Sequence, residues 1–343
     1  MRIYPNCLKT TLFASILLAF SCTDESTTSP TPPVTDAPVA IYVPAFNADS
    51  AFGYVQAQVN FGPRVPNTKA HETCKNYLIS SLKSYNCSVT AQTYTVTAYD
   101  TKKLKGTNVI AAINPTVKEN RILLSAHWDT RPVADQDNQK QTEPIDGAND
   151  AGSGVAVLME IARVLQTDTT FKLGVDIILW DCEDYGQPAN SGFPNMEDSY
   201  CLGSQYWAKN KPIDYQPKFG VNLDMVGAPG TVFYKDGVSL QYAFGVVEKV
   251  WKAAANAGFG NVFVNNTTGA TMTDDHLYVN TIAKIPCIDI IHHDASTPSN
   301  FPISWHTHND NINAIDKNSL KAVGQTLLQM LYEEQEIIKK NAN

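Results

Sequence analysis

The fold is decided by the stretch Val175-Asp-Ile-Ile-Leu-Trp180, which is followed directly by Asp181-Cys-Glu183-Asp184. The first segment is short and almost continuously apolar, which is typical of a strand buried at the centre of a parallel sheet. The second segment then places two adjacent carboxylates, Glu183 and Asp184, just beyond the carboxyl end of that strand. Ligands of open α/β sheets bind at this edge.

Four further apolar runs predict the neighbouring strands. They cover residues 108–113, 121–125, 219–223 and 287–291. Apolar residues recur at helical spacing near residues 68–84, 153–166, 199–209, 238–257 and 317–339. This alternation predicts the α/β class, as a three-layer α/β/α sandwich with a central mixed, mostly parallel twisted sheet.

Residues 1–21 are predicted to be an export signal. Arg2 and Lys9 precede the apolar run Leu12–Phe20, which is too short to span a bilayer. Ser21 and Cys22 then resemble the cleavage site of a bacterial lipoprotein, in which Cys22 would carry the lipid. The alternative is an ordinary cleaved signal with an incidental cysteine. We expect an exported protein, lipid-anchored at Cys22 on the periplasmic or outer-membrane face.

The rest of the chain is predicted to be a tether followed by one domain. Residues 22–45 are rich in Ser, Thr and Pro and predict a flexible tether. No repeat or linker interrupts residues 46–343, so we expect a single catalytic domain that acts as a monomer. The net charge of −8 provides no basic stripe, and we expect no nucleic-acid partner.

The cysteines of the predicted domain do not form a metal-binding pattern. No C-x-x-C spacing occurs among them. An oxidising compartment would allow a bridge such as Cys182–Cys201 or Cys74–Cys87, and buried free thiols are the alternative. The five residues are Cys74, Cys87, Cys182, Cys201 and Cys287.

Polar residues follow the apolar runs repeatedly. His127-Trp-Asp129 follows the second predicted strand, and Asp224 follows the fourth. Asp150 precedes a predicted helix, where a lone carboxylate would be an ordinary N-cap. Near the end of the chain lie Thr273-Asp274-Asp275-His276 and Trp305-His306. Because the parallel strands share one carboxyl edge, we expect these groups to gather around one site.

The composition of these groups predicts a zinc site. Glu183 and Asp184 repel each other unless a cation neutralises them, although a solvated acidic loop is the alternative. A catalytic zinc takes imidazole nitrogen and carboxylate oxygen and keeps three protein ligands. Asp150, Asp184 and His306 would form such a set. The other histidines near the C-terminus equally suit structural roles and are left out of the set: His292, His293 and His308.

In order and context, the strand-end residues resemble the zinc aminopeptidase superfamily, of which glutaminyl cyclases form one branch. The resemblance covers roughly residues 50–340. Two segments, Phe61-Gly-Pro-Arg-Val-Pro66 and Asp224-Met-Val-Gly-Ala-Pro229, look like the cyclase branch, as do the doubled acid before His276 and Trp305 before His306. Asp184 departs from the Glu that is usual in the family. Residues 185–199 do not match the animal enzymes, so the resemblance does not define the outer wall of the substrate pocket.

The resemblance implies a reaction and a role for each residue. A glutaminyl cyclase closes N-terminal glutamine of a peptide to pyroglutamate and releases ammonia, with one zinc polarising the side-chain carbonyl. Glu183 would be the general acid/base, and Trp305 would pack against the substrate. Asp224 and Asp274 would be the supporting acids. The zinc ligands would be Asp150, Asp184 and His306.

Two alternatives remain open from the sequence. A dizinc aminopeptidase would use the same residues, with His127 and Asp224 holding a second zinc and Asp150 bridging both ions. The ligand set therefore does not separate the two reactions, and only the surrounding motifs favour the cyclase. A catalytically silent surface binding module is the other alternative. It is disfavoured because none of the expected ligands or the base is missing.

Overall fold

The computed structural model describes residues 41–268 and 271–342. The helices are α1 (Ala48–Val59), α2 (Lys69–Ser84), α3 (Gly152–Thr167), α4 (Leu202–Asn210), α5 (Gly237–Asn256), α6 (Asp275–Thr281) and α7 (Lys317–Ala342). The strands are β1 (Ser88–Thr97), β2 (Lys103–Ile113), β3 (Ile122–His127), β4 (Val175–Trp180), β5 (Phe219–Asp224), β6 (Phe233–Lys235), β7 (Phe263–Thr267) and β8 (Cys287–Ile291). The predicted signal and residues 22–40 of the predicted tether lie outside the described residues.

The described strands form a central sheet in the order β1-β2-β4-β3-β5-β8, with β6 and β7 paired separately. The strands β4, β3, β5 and β8 are parallel, whereas β2 runs antiparallel to both β1 and β4. The parallel strands are buried along almost their whole length, as their apolar composition predicts. The expectation of a mixed, mostly parallel sheet is confirmed.

Helices cover both faces of this sheet. On one face α2, α3, α5 and α7 pack against side chains such as Leu124 and Val221. On the other face Trp207 of α4 and Val279 of α6 contact Trp180. α1 packs against α3 and α7, so α3 is buried nearly all round. The three-layer sandwich predicted from the alternating pattern is therefore confirmed.

Several elements escape prediction because they lack a long apolar run. β1 lies at the edge of the sheet and alternates polar and apolar residues, with only Tyr94 fully buried in it. α6 spans only seven residues, and α1 is mostly half-exposed. The helix predicted near residues 199–209 begins later, at Leu202, because Cys201 adopts a left-handed conformation at φ 57°.

All five cysteines of the described residues are buried free thiols. The suggested bridges Cys182–Cys201 and Cys74–Cys87 are therefore wrong, and the alternative of buried thiols applies. No helix in residues 41–268 and 271–342 is long and apolar enough to cross a membrane.

Gly154 allows α3 to begin directly against the carboxyl ends of β3 and β5. A Cβ atom at this position would lie 2.8 Å from the Leu223 carbonyl oxygen and 2.9 Å from the Ala126 Cβ. Both neighbours belong to packed strands and have little freedom to move. The missing side chain therefore sets how closely Asp150, just ahead of α3, approaches the ends of the strands.

We predict that Gly154→Ala destabilises the protein by about 1–3 kcal/mol through overpacking. The matched control is Gly245→Ala in α5, where an added Cβ would meet nothing within 4 Å. The control is expected to be neutral or stabilising by up to about 1 kcal/mol, because alanine favours helix over glycine. Thermal unfolding of both variants measures the difference. Equal melting temperatures would contradict the tight approach of α3 to the sheet.

Candidate metal centre

A cavity of about 360 Å³ opens at the carboxyl edge of the parallel strands. Its floor contains the carboxylates predicted at the strand ends, and its walls are largely aromatic or apolar. The cavity therefore unites groups from distant parts of the chain, as the shared edge predicts. The lining residues include Asp150, Glu183, Asp184, Tyr200, Asp224, Met272, Asp274, Phe301, Trp305 and His306.

The three predicted zinc ligands lie together on the floor of this cavity. The Nε2 atom of His306 lies 3.3 Å from Asp184 Oδ1 and 3.7 Å from Asp150 Oδ2, and all three side chains are buried. Zinc ligands at about 2.0–2.1 Å in a tetrahedral site are about 3.3–3.4 Å apart. Asp184 Oδ2 is buried without a hydrogen-bond partner. This spacing and the unsatisfied oxygen fit a bound zinc ion.

The second candidate group, His127 with Asp150 and Asp224, is more compact. His127 Nε2 lies 3.0 Å from Asp150 Oδ1 and 3.1 Å from Asp224 Oδ1. These are hydrogen-bond distances, shorter than the spacing of about 3.3–3.4 Å expected between zinc ligands. Asp150 thus turns one oxygen toward His127 and the other toward His306. A second cation would have to push the His127 group apart.

Asp129 orients the two carboxylates that follow β4. Its Oδ1 accepts the backbone N–H of Glu183 at 3.0 Å, and its Oδ2 accepts that of Asp184 at 3.2 Å. One buried carboxylate therefore fixes the backbone of both residues. This explains structurally why Asp129 accompanies His127 in the His-x-Asp motif.

Asp150 is not a helix cap. The N-cap position of α3 is taken by Ala151, and no side chain caps the helix there. Asp150 is instead held through its backbone, because Asp310 accepts the N–H groups of Asn149 at 2.8 Å and Asp150 at 3.0 Å. Sequence reasoning missed this role of Asp310. The only signal was its position four residues after His306 in a polar segment.

Glu183 lies at the cavity floor in an environment suited to proton transfer. Its Oε1 accepts a hydrogen bond from the Cys201 thiol at 3.2 Å. Burial and the nearby negative charges of Asp184, Asp275 and Asp274 raise the pKa of Glu183 well above its usual range, although His127 opposes the shift. A carboxyl group with a raised pKa can both accept and return a proton near neutral pH.

The two predicted supporting acids lie on either side of this group. Burial and the charge of Asp150 raise the pKa of Asp224 to about 7, against the effect of His127. Asp274 caps α6 by accepting the Asp275 N–H, and its Oδ1 accepts a hydrogen bond from Asn222 Nδ2 at 3.4 Å. Both acids line the cavity beside Glu183.

Asp289 of β8 adds a carboxylate that sequence reasoning did not identify. Asn222 Nδ2 lies 3.3 Å from Asp289 Oδ1, so one amide group contacts both Asp274 and Asp289. Burial and the charge of Asp274 raise the pKa of Asp289 well above its usual range. The ionised form of Asp289, which lies beneath the cavity, is therefore strongly disfavoured.

Aromatic side chains shape the wall of the cavity. The Trp305 ring stacks on His306 with ring centroids 3.8 Å apart and contacts Phe301. None of residues 185–199 is among the residues that line the cavity, although the flanking Asp184 and Tyr200 are. His293, which the sequence left out of the ligand set, also lines the cavity. His308 contacts Asp137 at 2.9 Å, and His292 contacts Thr231 at 3.3 Å.

Comparisons with known proteins agree with this geometry. Residues 108–331 match the profile of peptidase family M28. The glutaminyl cyclase of Bacteroides thetaiotaomicron is 49% identical with a TM-score of 0.82, over 85% of this chain and 99% of that one. A Zn-dependent exopeptidase from Parabacteroides distasonis is 46% identical with a TM-score of 0.82, over the same shares of each chain. The glutaminyl-peptide cyclotransferase of Drosophila melanogaster is 24% identical over 279 residues, 74% of this chain and 72% of that protein.

We predict that His306→Ala loses zinc, whereas Glu183→Gln keeps it. His306 supplies the imidazole of the proposed ligand set, while Glu183 faces the cavity from outside that set. Metal analysis of both purified variants measures zinc per chain. Zinc loss in Glu183→Gln would make Glu183 a ligand, and full zinc in His306→Ala would place the ion elsewhere.

Proposed function

The chain belongs to peptidase family M28, and we infer that it is a zinc-dependent glutaminyl cyclase that converts the N-terminal glutamine of peptides to pyroglutamate. The high identity to a bacterial glutaminyl cyclase over nearly the full length of that enzyme supports this reaction. The glutaminyl cyclase and zinc exopeptidase resemblance expected from the sequence is thereby confirmed.

The identity to a bacterial glutaminyl cyclase is the observation that favours cyclisation over hydrolysis. The histidine groups accord with one ion, because His306 lies 3.3 Å from Asp184 and 3.7 Å from Asp150, whereas His127 lies at hydrogen-bond distance from its two carboxylates. We therefore propose one zinc per chain. One ion suffices for a cyclase, because the nucleophile is the substrate's own amine and no bridging water is needed.

The residues of the cavity suit the steps of this reaction. Zinc bound by Asp150, Asp184 and His306 would polarise the side-chain carbonyl of the glutamine. The α-amine attacks the carbonyl carbon, forming the ring C–N bond, and Glu183 accepts a proton from that nitrogen. Glu183 then returns the proton to the amide nitrogen as its C–N bond breaks, and ammonia leaves.

The neighbouring side chains hold the reacting groups in place. Asp224 and Asp274 line the cavity beside Glu183 and can accept hydrogen bonds from the amine and the leaving nitrogen. Trp305 offers its ring as an apolar surface against which the substrate packs. Its stacking on His306 keeps that surface next to the proposed zinc ligands.

The aminopeptidase alternative retains one specific observation in its favour. His127, Asp150 and Asp224 each offer an atom within 4.8 Å of the others, so a second ion could gather them if the hydrogen bonds were broken. Hydrolysis would then use a water between two ions, with Glu183 as base. Zinc stoichiometry and product identity together separate the two reactions.

We predict that protein lacking residues 1–38 binds about one zinc and converts a glutamine-initiated peptide to a product lighter by one ammonia. Mass spectrometry and metal analysis measure both quantities. Glu183→Gln should abolish turnover, whereas Glu143→Gln, an exposed variant far from the cavity, should not. Release of the free first residue with about two zincs would establish the aminopeptidase instead. Absence of both products would favour the silent binding module.

We also propose that the protein is exported and lipid-anchored at Cys22. Arg2, Lys9, the apolar run Leu12–Phe20 and the Ser21-Cys22 pair support this, and the Ser- and Pro-rich tether would hold the domain off the membrane. Peptides or proteins that begin with glutamine and reach this compartment would be the substrates.

We predict that Cys22→Ala releases the protein into the soluble fraction of a bacterial host, because the acyl chains are its only anchor. Cys7→Ala is the matched control, since Cys7 lies within the predicted signal, and it should leave the protein in the membrane fraction. Membrane association of both variants would contradict the anchor. Solubility of the unmodified chain would indicate an ordinary cleaved signal.

A further inference from the structure

We propose that Arg131 and Asp135 are positioning residues that hold His306 and Asp184 ready to bind zinc. Neither residue was identified from the sequence, and both lie in the loop between β3 and α3. The inference rests on the proposed assignment of His306 and Asp184 as zinc ligands.

The buried guanidinium group of Arg131 connects the two carboxylates. Its Nε lies 2.7 Å from Asp135 Oδ1 and its Nη2 lies 3.1 Å from Asp135 Oδ2, which is the paired geometry of a strong charge-assisted contact. Its Nη1 donates to the Asp184 carbonyl oxygen at 3.0 Å and lies 3.4 Å from Asp184 Oδ1. The Arg131 side chain therefore contacts Asp184, which is a proposed zinc ligand, and also Asp135, the carboxylate behind the other proposed ligand His306.

Asp135 lies behind the ring of His306. Its Oδ1 is 3.1 Å from Nδ1, the nitrogen opposite the Nε2 that faces Asp150 and Asp184. A metal-bound histidine must keep its proton on the other nitrogen, and an acceptor there fixes that tautomer and raises the basicity of the ligand. The contact between His306 and Asp135 is a close ion pair, since Nδ1 makes no hydrogen bond of good geometry to the described residues.

The loop also holds the backbone of the turn that carries His306. The Gln136 N–H donates to the His306 carbonyl oxygen at 3.3 Å, and Asp137 Oδ2 accepts the His308 N–H at 2.9 Å. His306 itself is left-handed, with φ 54°, a conformation that is unfavourable for a non-glycine residue. The contacts from the loop offset that cost and keep the ring aimed at the cavity.

His127 lacks an equivalent arrangement. The carboxylates nearest its Nδ1 are Asp129 at 3.7 Å and Glu183 at 3.8 Å, both farther away than Asp135 lies from His306 Nδ1. Of the two candidate ligand histidines, His306 thus has the closer carboxylate behind it. The arrangement favours binding of the ion at His306 over His127.

The test is the zinc affinity of metal-free protein, measured by competition with a chromophoric chelator. We expect Asp135→Asn to weaken zinc binding by about 10–100-fold, the usual effect of removing the partner of a ligand histidine. Asp135→Asn also removes the charge that pairs with buried Arg131, so the melting temperature of the metal-free protein is expected to fall somewhat, and zinc affinity is therefore measured below that temperature. Glu143→Gln is the matched control, because Glu143 lies in the same loop and its side chain pairs with exposed Lys140.

Two further measurements distinguish a positioning role of Asp135 from a general loss of folding and from an incorrect assignment of the zinc ligands. The visible spectrum of the Co²⁺-loaded protein should shift in Asp135→Asn and not in Glu143→Gln, because the imidazole donor has changed. Wild-type zinc affinity in Asp135→Asn, or a Co²⁺ spectrum identical to that of the unchanged protein, would overturn the inference. If His306→Ala also kept zinc, the ligand assignment and with it the proposed site would fail. Zinc loss in His306→Ala alone would leave that assignment standing.

Discussion

Mutual repulsion among buried carboxylates is the constraint on which the rest of the site depends. Asp150, Glu183, Asp184, Asp224 and Asp274 all face one cavity at the carboxyl edge of the sheet. Such groups cannot all be ionised in a poorly solvated site unless cations compensate them or some stay protonated. The structure divides them accordingly. Arg131 and the proposed zinc compensate Asp184, while burial keeps Glu183 and Asp289 prone to protonation.

Asp150 belongs to both candidate metal-binding groups of the site, the one with His127 and the one with His306. Its oxygens face different histidines, Oδ1 at 3.0 Å from His127 Nε2 and Oδ2 at 3.7 Å from His306 Nε2. The same side chain would bridge two ions in an aminopeptidase. The reaction catalysed by this fold therefore depends on the distances among His127, Asp150 and Asp224. It also depends on which histidine has a carboxylate acceptor behind its ring.

The aromatic wall explains how a cavity rich in carboxylates can still hold a peptide end. Trp305 and Phe301 pack together above the ligand histidine and give the cavity an apolar side. An α-amine is attracted to the acidic floor, and the carbon chain of glutamine can lie against the rings. The acidic floor and the apolar side of the cavity are the features that the proposed recognition of an N-terminal glutamine would use.

The sequence by itself determined the class of fold and the identity of the strand-end groups, because both follow from local patterns. Buried parallel strands require continuous apolar runs, and the residues after such runs must lie at one edge of the sheet. Position after a strand therefore pointed to Glu183, Asp184 and Asp224, whereas Asp150 and His306 were selected from a helix entrance, a histidine-rich segment and the family resemblance. Edge strand β1 was missed because half of its residues face solvent.

Only the tertiary structure decided which groups hold these residues and how far apart they lie. The supporting residues contact partners that are distant in the chain, or lie in loops without periodicity. They are Asp310, Asp289, Arg131 and Asp135. The distances from His127 and His306 to their carboxylates differ by a few tenths of an ångström. No local pattern encodes such distances, since they arise from several segments meeting at once.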